Sequence, residues 1–252
     1  MTIQIHRNRT AITRTTFSKP YRLLIEKKDL TAMFKKFAAI ALTAVVWLVS
    51  FSGASPGTAR AVAPGDPSII RVEYKVSAFT NAVGTAFAVG PHDWVTAAHV
   101  VTTDDGKQVS RVAHLSGLFS ADVLEVVAVD KANDLALLHS DAAAPEWLPL
   151  ARESAEQAGY GVGYPGNPFR PTSARLAFAG RGESHYDEYA LKPAALYTGT
   201  VYGGDSGGPI VNDAGEVIGV MTACSASANL STAVPVETLF DFLERNDIHA
   251  EK

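Results

Sequence analysis

Between Ser68 and Val234 the sequence is a succession of short β-type runs, each stopped by turn-forming residues. The runs fall at 69–76, 85–89, 94–97, 109–115, 123–129 and 135–139, then at 158–163, 174–178, 190–197, 209–211, 216–222 and 229–234. Clusters such as Gly90-Pro91-His92-Asp93 and Asp213-Ala214-Gly215 separate them. About a dozen short strands at this spacing predict antiparallel barrels or a sandwich. The pattern changes at the end, where Val236, Leu239, Phe240 and Leu243 recur at helical spacing and predict a terminal helix over 236–246. Near the middle, Pro145, Pro149 and a polar run interrupt the series. A linker at about 141–157 then divides the strands into halves at about 68–140 and 158–234.

A chain of 252 residues that is 47% hydrophobic can bury a sizeable core, which excludes a wholly disordered protein. Its one cysteine, Cys224, excludes an internal disulfide framework and any multi-cysteine metal site. The net charge of −4 hides an asymmetry. Ten of the Lys and Arg residues lie before Val62 with only Glu26 and Asp29 against them, so residues 62–252 carry twelve basic and twenty-four acidic side chains. An acidic body argues against nucleic-acid binding.

The basic front end has a different explanation. Lys35 and Lys36 precede an uncharged run over 37–51, followed by small residues and two small-x-small sites, Ala59-Arg60-Ala61 and Ala61-Val62-Ala63. Positive, apolar, then small-x-small is the layout of a secretory signal peptide, here 33–61. The run is shorter than the ~20 residues that span a bilayer. Export is therefore expected, with a mature terminus at Val62 or Pro64; the alternative is a membrane anchor formed by 37–51. Met33 stands directly before Phe34-Lys35-Lys36, so residues 1–32 are either an over-extended start or a basic extension.

Three segments carry chemistry: Thr96-Ala97-Ala98-His99 after the apolar Trp94-Val95, Asn133-Asp134 before Leu135-Ala136-Leu137-Leu138, and Gly204-Asp205-Ser206-Gly207-Gly208-Pro209. A serine hydroxyl needs an imidazole to take its proton and a carboxylate to hold that imidazole in the right tautomer. It also needs N–H donors aimed at the developing oxyanion. The chain order His, Asp, Ser fails the order of an α/β-hydrolase, although Gly204-Asp205-Ser206-Gly207-Gly208 satisfies that fold's Gly-x-Ser-x-Gly literally. No histidine spacing suits a metal and HExxH is absent, so neither metal nor cofactor is expected.

These segments resemble the chymotrypsin/trypsin-fold serine peptidases, and among them the bacterial HtrA-like (DegP-type) peptidase domain. Gly163-Tyr164-Pro165-Gly166-Asn167-Pro168-Phe169 and Ala233-Val234-Pro235-Val236 fit the same branch. The resemblance covers about residues 68–245. It implies an all-β fold of two antiparallel six-stranded β-barrels with the active site between them and a short C-terminal helix. It also implies an exported serine endopeptidase acting on polypeptides, or, as the alternative, an inactive homologue that binds peptides. His99, Asp134 and Ser206 become the triad, and the N–H groups of Gly204 and Ser206 the oxyanion hole. Thr200 becomes the base of the pocket for the P1 side chain, and Thr222, Ala223 and Cys224 its wall. With no carboxylate at Thr200 and Cys224 filling the wall, the expected P1 residues are small and apolar.

Two departures matter. Ile69-Ile70-Arg71-Val72 does not match the zymogen-terminus motif whose amino group pairs with the acid before the serine, so Asp205 is expected to lack that partner. The sequence stops soon after the terminal helix, so the PDZ domain that many HtrA proteins carry is not expected. Asp130 and Asp141 flank the strand that follows Asp134 and are rival acids. Apart from any place in the pocket wall, Cys224 reads as a small buried hydrophobe. His6, His92, His114, His139, His185 and His249 read as surface or structural.

Overall fold

The computed structural model describes residues 61–76, 81–103, 105–115, 121–152, 156–166, 170–186 and 189–249. The basic stretch at 1–32 and the signal segment, apart from Ala61, lie outside the described residues. Among the described residues no helix is long and apolar enough to cross a membrane.

Twelve strands form two closed antiparallel barrels of six, the all-β architecture expected. The first comprises β1 (Ile69–Lys75), β2 (Asn81–Ala88), β3 (Asp93–Thr96), β4 (Arg111–Leu115), β5 (Ala121–Asp130) and β6 (Leu135–His139), in the order β1-β2-β3-β6-β5-β4. The second comprises β7 (Gly159–Gly163), β8 (Thr172–Tyr186), β9 (Tyr189–Thr198), β10 (Pro209–Val211), β11 (Val217–Ser225) and β12 (Leu230–Pro235), in the order β10-β11-β12-β9-β8-β7. Closure by β1 on β4 and by β10 on β7 leaves neither barrel an open edge.

Several runs are apolar at successive positions because both of their faces are covered. A strand sends alternate side chains to opposite faces. In β6, Ala136 and Leu138 fill the first barrel, while Leu135 and Leu137 face a second core shared with the other barrel. Ile70 and Ile69, and Trp94 and Val95, divide in the same way. On the other side Ile210, Ile218, Met221 and Ala233 fill the second barrel, and Val211, Val217, Val220 and Val234 face the shared core.

The shared core is closed by α1 (Val236–Arg245), which buries Val236, Leu239, Phe242 and Leu243. The sequence reading had Phe240 where Phe242 stands. At 100° per residue Phe240 falls to one side of the stripe, and it packs only partly against this core. The segment at 141–157 is more than a linker. Leu148, Leu150 and Ala151 are buried, the Leu148 N–H donates to Ala88 O (3.0 Å), and the Ala151 N–H donates to Val217 O (2.9 Å). It is thus strapped to a strand of each barrel.

β8 is far longer than the expected 174–178. Beyond Phe178 it continues as a ribbon with β9, with bulges at Phe178/Gly180 and Gly182/Ser184. Its Gly-Arg-Gly-Glu-Ser composition carries none of the alternation by which a strand half-buried on a core is recognised.

Candidate active site

β3 ends at Thr96, and the chain turns through a single 3₁₀ segment, Ala98–Val101, that carries His99 at the end of the first barrel. Asp134 immediately precedes β6, the strand paired with β3, so the ladder brings the two together. The Asp134 carboxylate is 2.9 and 3.1 Å from His99 Nδ1, and it also accepts the His99 backbone N–H (3.0 Å). A carboxylate can only accept, so Nδ1 carries the proton and Nε2 is the basic nitrogen. Asp134 adopts the left-handed region (φ 52°), which aspartate tolerates better than most residues. Its side chain is only 3% exposed. The rivals lie elsewhere: Asp130 binds Asn133 and Arg245, and Asp141 is exposed.

Ser206 sits in the turn leading into β10. Its hydroxyl donates to the Thr222 carbonyl of β11 (3.0 Å). Main-chain bonds fasten the loop: Thr85 N–H to Ser206 O (2.8 Å), Gly207 N–H to Met221 O (2.8 Å) and Asp205 N–H to Tyr202 O (3.0 Å). Among the described residues, the N–H groups of Gly204 and Ser206 have no acceptor. Gly207 (φ 83°) has to be glycine. A Cβ there would overlap Thr96 Oγ1 and the Thr85 carbonyl, and would lie 2.7 Å from the Ala97 amide nitrogen.

Thr85, in β2 and fully buried, was not singled out in the sequence. Besides its N–H bond to Ser206, its hydroxyl donates to Gly204 O (2.8 Å) and accepts the Tyr164 N–H (3.0 Å), while its carbonyl accepts the Thr96 hydroxyl (2.7 Å). One residue of the first barrel thus holds both ends of Gly204-Asp205-Ser206. Tyr189, at the start of β9, was also missed. It is buried with its ring edge-on to the His99 imidazole, centroids 6.0 Å apart. A lone threonine in an apolar run and a tyrosine ninety positions from its partner leave no local signal.

Asp205 is buried. One carboxylate oxygen accepts the Tyr202 N–H (2.8 Å), and the other has no partner among the described residues. Burial pushes its carboxyl above the ordinary range, which that N–H only partly offsets. A raised native pKa gives stability that is complete below the unfolded pKa and is lost as pH rises through the folded one. Asp205→Asn is therefore expected to raise Tm at neutral pH, with the gain vanishing in acid. A scan of Tm against pH checks this; a lower Tm than wild type at neutral pH would refute it.

The residues expected around the P1 side chain are placed as follows. Thr200 donates its hydroxyl to Asn229 Oδ1 (2.9 Å), and buried Thr222 hydrogen-bonds Thr232. Ala223 and Cys224 follow a bulge in β11 and pair with Thr232 and Ser231. The reading of Cys224 as a buried hydrophobe is corrected, because the thiol is exposed. Past the bulge β11 stays paired with β12, but its burial falls away over the last three residues. Partial burial and the nearby Asp205 both push the thiol pKa up, which keeps it protonated.

His92 binds the Ser140 carbonyl, His114 the Arg71 carbonyl and His139 the Asp93 carboxylate, while His249 is exposed. Among the described residues no group of three or more His, Cys, Asp or Glu side chains could hold a metal ion.

Comparison with known proteins agrees with this architecture. Residues 84–220 match the trypsin-like peptidase domain, and the chain belongs to that family. It is similar to the mitochondrial serine protease HTRA2 of Bos taurus, 36% identical over 166 residues that cover 61% of this chain and 33% of that protein. A probable periplasmic serine endoprotease, DegP-like, from Chlamydia trachomatis is 27% identical over 223 residues, 78% of this chain and 43% of the relative. The chain thus spans less than half the length of these relatives. Among solved structures, the active form of the Rv3671c protease from M. tuberculosis superposes with a TM-score of 0.61 at 23% identity, covering 80% of this chain and 96% of that one, a likeness of fold.

Proposed function

We propose that the protein is an exported serine endopeptidase that hydrolyses peptide bonds through an acyl-enzyme on Ser206. The observation that carries this reading is the Asp134 carboxylate on His99 Nδ1. It fixes the tautomer in which Nε2 can accept a proton.

For attack, the Ser206 hydroxyl turns from the Thr222 carbonyl toward His99 Nε2, which takes its proton as Oγ bonds to the scissile carbonyl carbon. The N–H groups of Gly204 and Ser206 receive the developing oxyanion. His99 then protonates the leaving amine, and Asp134 stabilises the transient imidazolium without itself taking the proton. Water repeats the sequence on the acyl-enzyme. The base must be neutral to accept the serine proton, so protonation of His99 in acid abolishes activity.

The domain is taken as residues 62–252, with the mature terminus at Val62 after cleavage behind Ala61 or at Pro64 after cleavage behind Ala63. The relatives whose names place them in the periplasm support export. The second reading is an inactive peptide-binding homologue, which the Ser206 hydroxyl's bond to Thr222 favours. A fluorophosphonate probe decides between them: labelling at Ser206 is expected, and an unreactive protein would leave the second reading.

Thr200 has no carboxylate to pair a buried Lys or Arg, and an unpaired buried cation is costly. Small apolar P1 residues are expected. Cys224→Gly should deepen the pocket, so that larger P1 residues gain relative to Ala in a peptide-library profile. No gain would remove Cys224 from the wall.

A further inference from the structure

Asp134 is carried on a tight turn, Lys131-Ala132-Asn133-Asp134, between β5 and β6, and it enters β6 from a left-handed conformation. That turn has one internal clamp. Asp130 Oδ1 accepts the Asn133 backbone N–H (3.1 Å), and Asp130 Oδ2 accepts the Asn133 side-chain amide (2.8 Å). The same Oδ2 accepts Arg245 Nη2 (2.6 Å), from the last turn of α1. Arg245 is itself oriented, because its Nε donates to the Asp241 carbonyl (3.0 Å).

We propose that Arg245 is a positioning residue for the catalytic acid, acting through Asp130 and the Asn133 turn on Asp134. This rests on the triad reading above.

The physical case has three parts. The Asp130 side chain is only 12% exposed while the Arg245 side chain that meets it is 58% exposed, so the carboxylate side of the pair is held within the fold and accepts three bonds there. Burial alone pushes its carboxyl up, yet the bonds from Asn133 and Arg245 outweigh this and hold it below the usual range. Second, Asp134 enters β6 from the left-handed region, so the geometry of the turn before it decides where its carboxylate points. Third, Asp134 meets His99 at both the ring and the backbone, an arrangement that tolerates little displacement. The anchor is firm because α1 is buried through Val236, Leu239, Phe242 and Leu243 in the core the two barrels share. Packing of the last helix is thereby coupled to the acid of the first barrel.

The test uses the full chain with Arg245→Met, which keeps an apolar stem but loses the guanidinium, and Arg245→Lys, which keeps the charge. Read out are kcat and KM on a peptide substrate, the far-downfield proton resonance of the His99 Nδ1–H, and Tm. Arg245→Met should lower kcat by roughly ten- to a hundred-fold with KM unchanged, as a small misplacement of a reacting group does. It should also weaken the downfield resonance. Arg245→Lys should recover most of both. Wild-type kcat and resonance in Arg245→Met would overturn the proposal. So would a loss that follows Tm alone and that lysine does not relieve. A Ser206→Ala control separates the two levels. If that variant stays active, the triad reading falls and this inference with it. If activity depends on Ser206 while Arg245→Met behaves as wild type, only the inference falls.

Discussion

Ser206→Ala is expected to lower turnover of a peptide substrate by about 10⁵- to 10⁶-fold while leaving the fold intact. The size follows from the role, since without Oγ no acyl-enzyme forms and only binding and oxyanion stabilisation remain. The intact fold follows from how the loop is held. Thr85 N–H to Ser206 O, Gly207 N–H to Met221 O and Asp205 N–H to Tyr202 O are all main-chain bonds. The hydroxyl contributes one bond, to the Thr222 carbonyl, worth about 1 kcal/mol. Tm should therefore move by a few degrees at most, and fluorophosphonate labelling should disappear. Near-normal peptidase activity in this variant would remove Ser206 as nucleophile.

Part of the site and of the fold was legible in the sequence. The contact of His99 with Asp134 lies between two segments the sequence singled out, and the Ser206 loop, proposed to complete the triad, is the third. Gly207 is glycine because any Cβ would strike Thr85 and Thr96. Leu135-Ala136-Leu137-Leu138 is apolar throughout because β6 is covered on both faces.

What escaped the sequence depends on partners far along the chain. Thr85 reaches Gly204 and Ser206 across 119 and 121 positions, and Arg245 reaches Asp130 across 115. Nothing beside Thr85 or Arg245 distinguishes them from an ordinary strand threonine or a solvated helix arginine. Asp130 could be named as a rival acid but not as the clamp of the acid's own turn. Cys224 was misjudged for a related reason. Its burial is decided by a bulge in β11, and a bulge has no hydrophobic signature.

Asp134→Asn is expected to cost about 10⁴-fold in kcat, nearly as severe as loss of the nucleophile, through the tautomer rather than through the fold. The carboxylate serves two donors at once, the His99 backbone N–H at 3.0 Å and the ring Nδ1–H at 2.9 Å. In an amide of the same shape the oxygen can take the Oδ1 place, 3.0 Å from the backbone N and 3.1 Å from Nδ1, but its NH₂ then stands in the Oδ2 place, 2.9 Å from Nδ1, a donor against the ring N–H. The backbone N–H has no second form, whereas the imidazole can move its proton. The asparagine oxygen therefore stays on the backbone N–H, and its NH₂ faces Nδ1. Nδ1 must then become the acceptor, the proton moves to Nε2, and the nitrogen that should take the serine proton is already occupied. With the side chain 3% exposed, water cannot enter to relieve the mismatch. The checks are kcat at neutral pH, a parallel fall in the rate of fluorophosphonate labelling, and a Tm close to wild type. Asp130→Asn supplies the contrast. Its carboxylate touches Asn133 and Arg245 but not His99, so its loss should be smaller by at least an order of magnitude. Equal losses in the two variants would mean that the acid acts through the turn as a whole and not through the Asp134 contact with Nδ1.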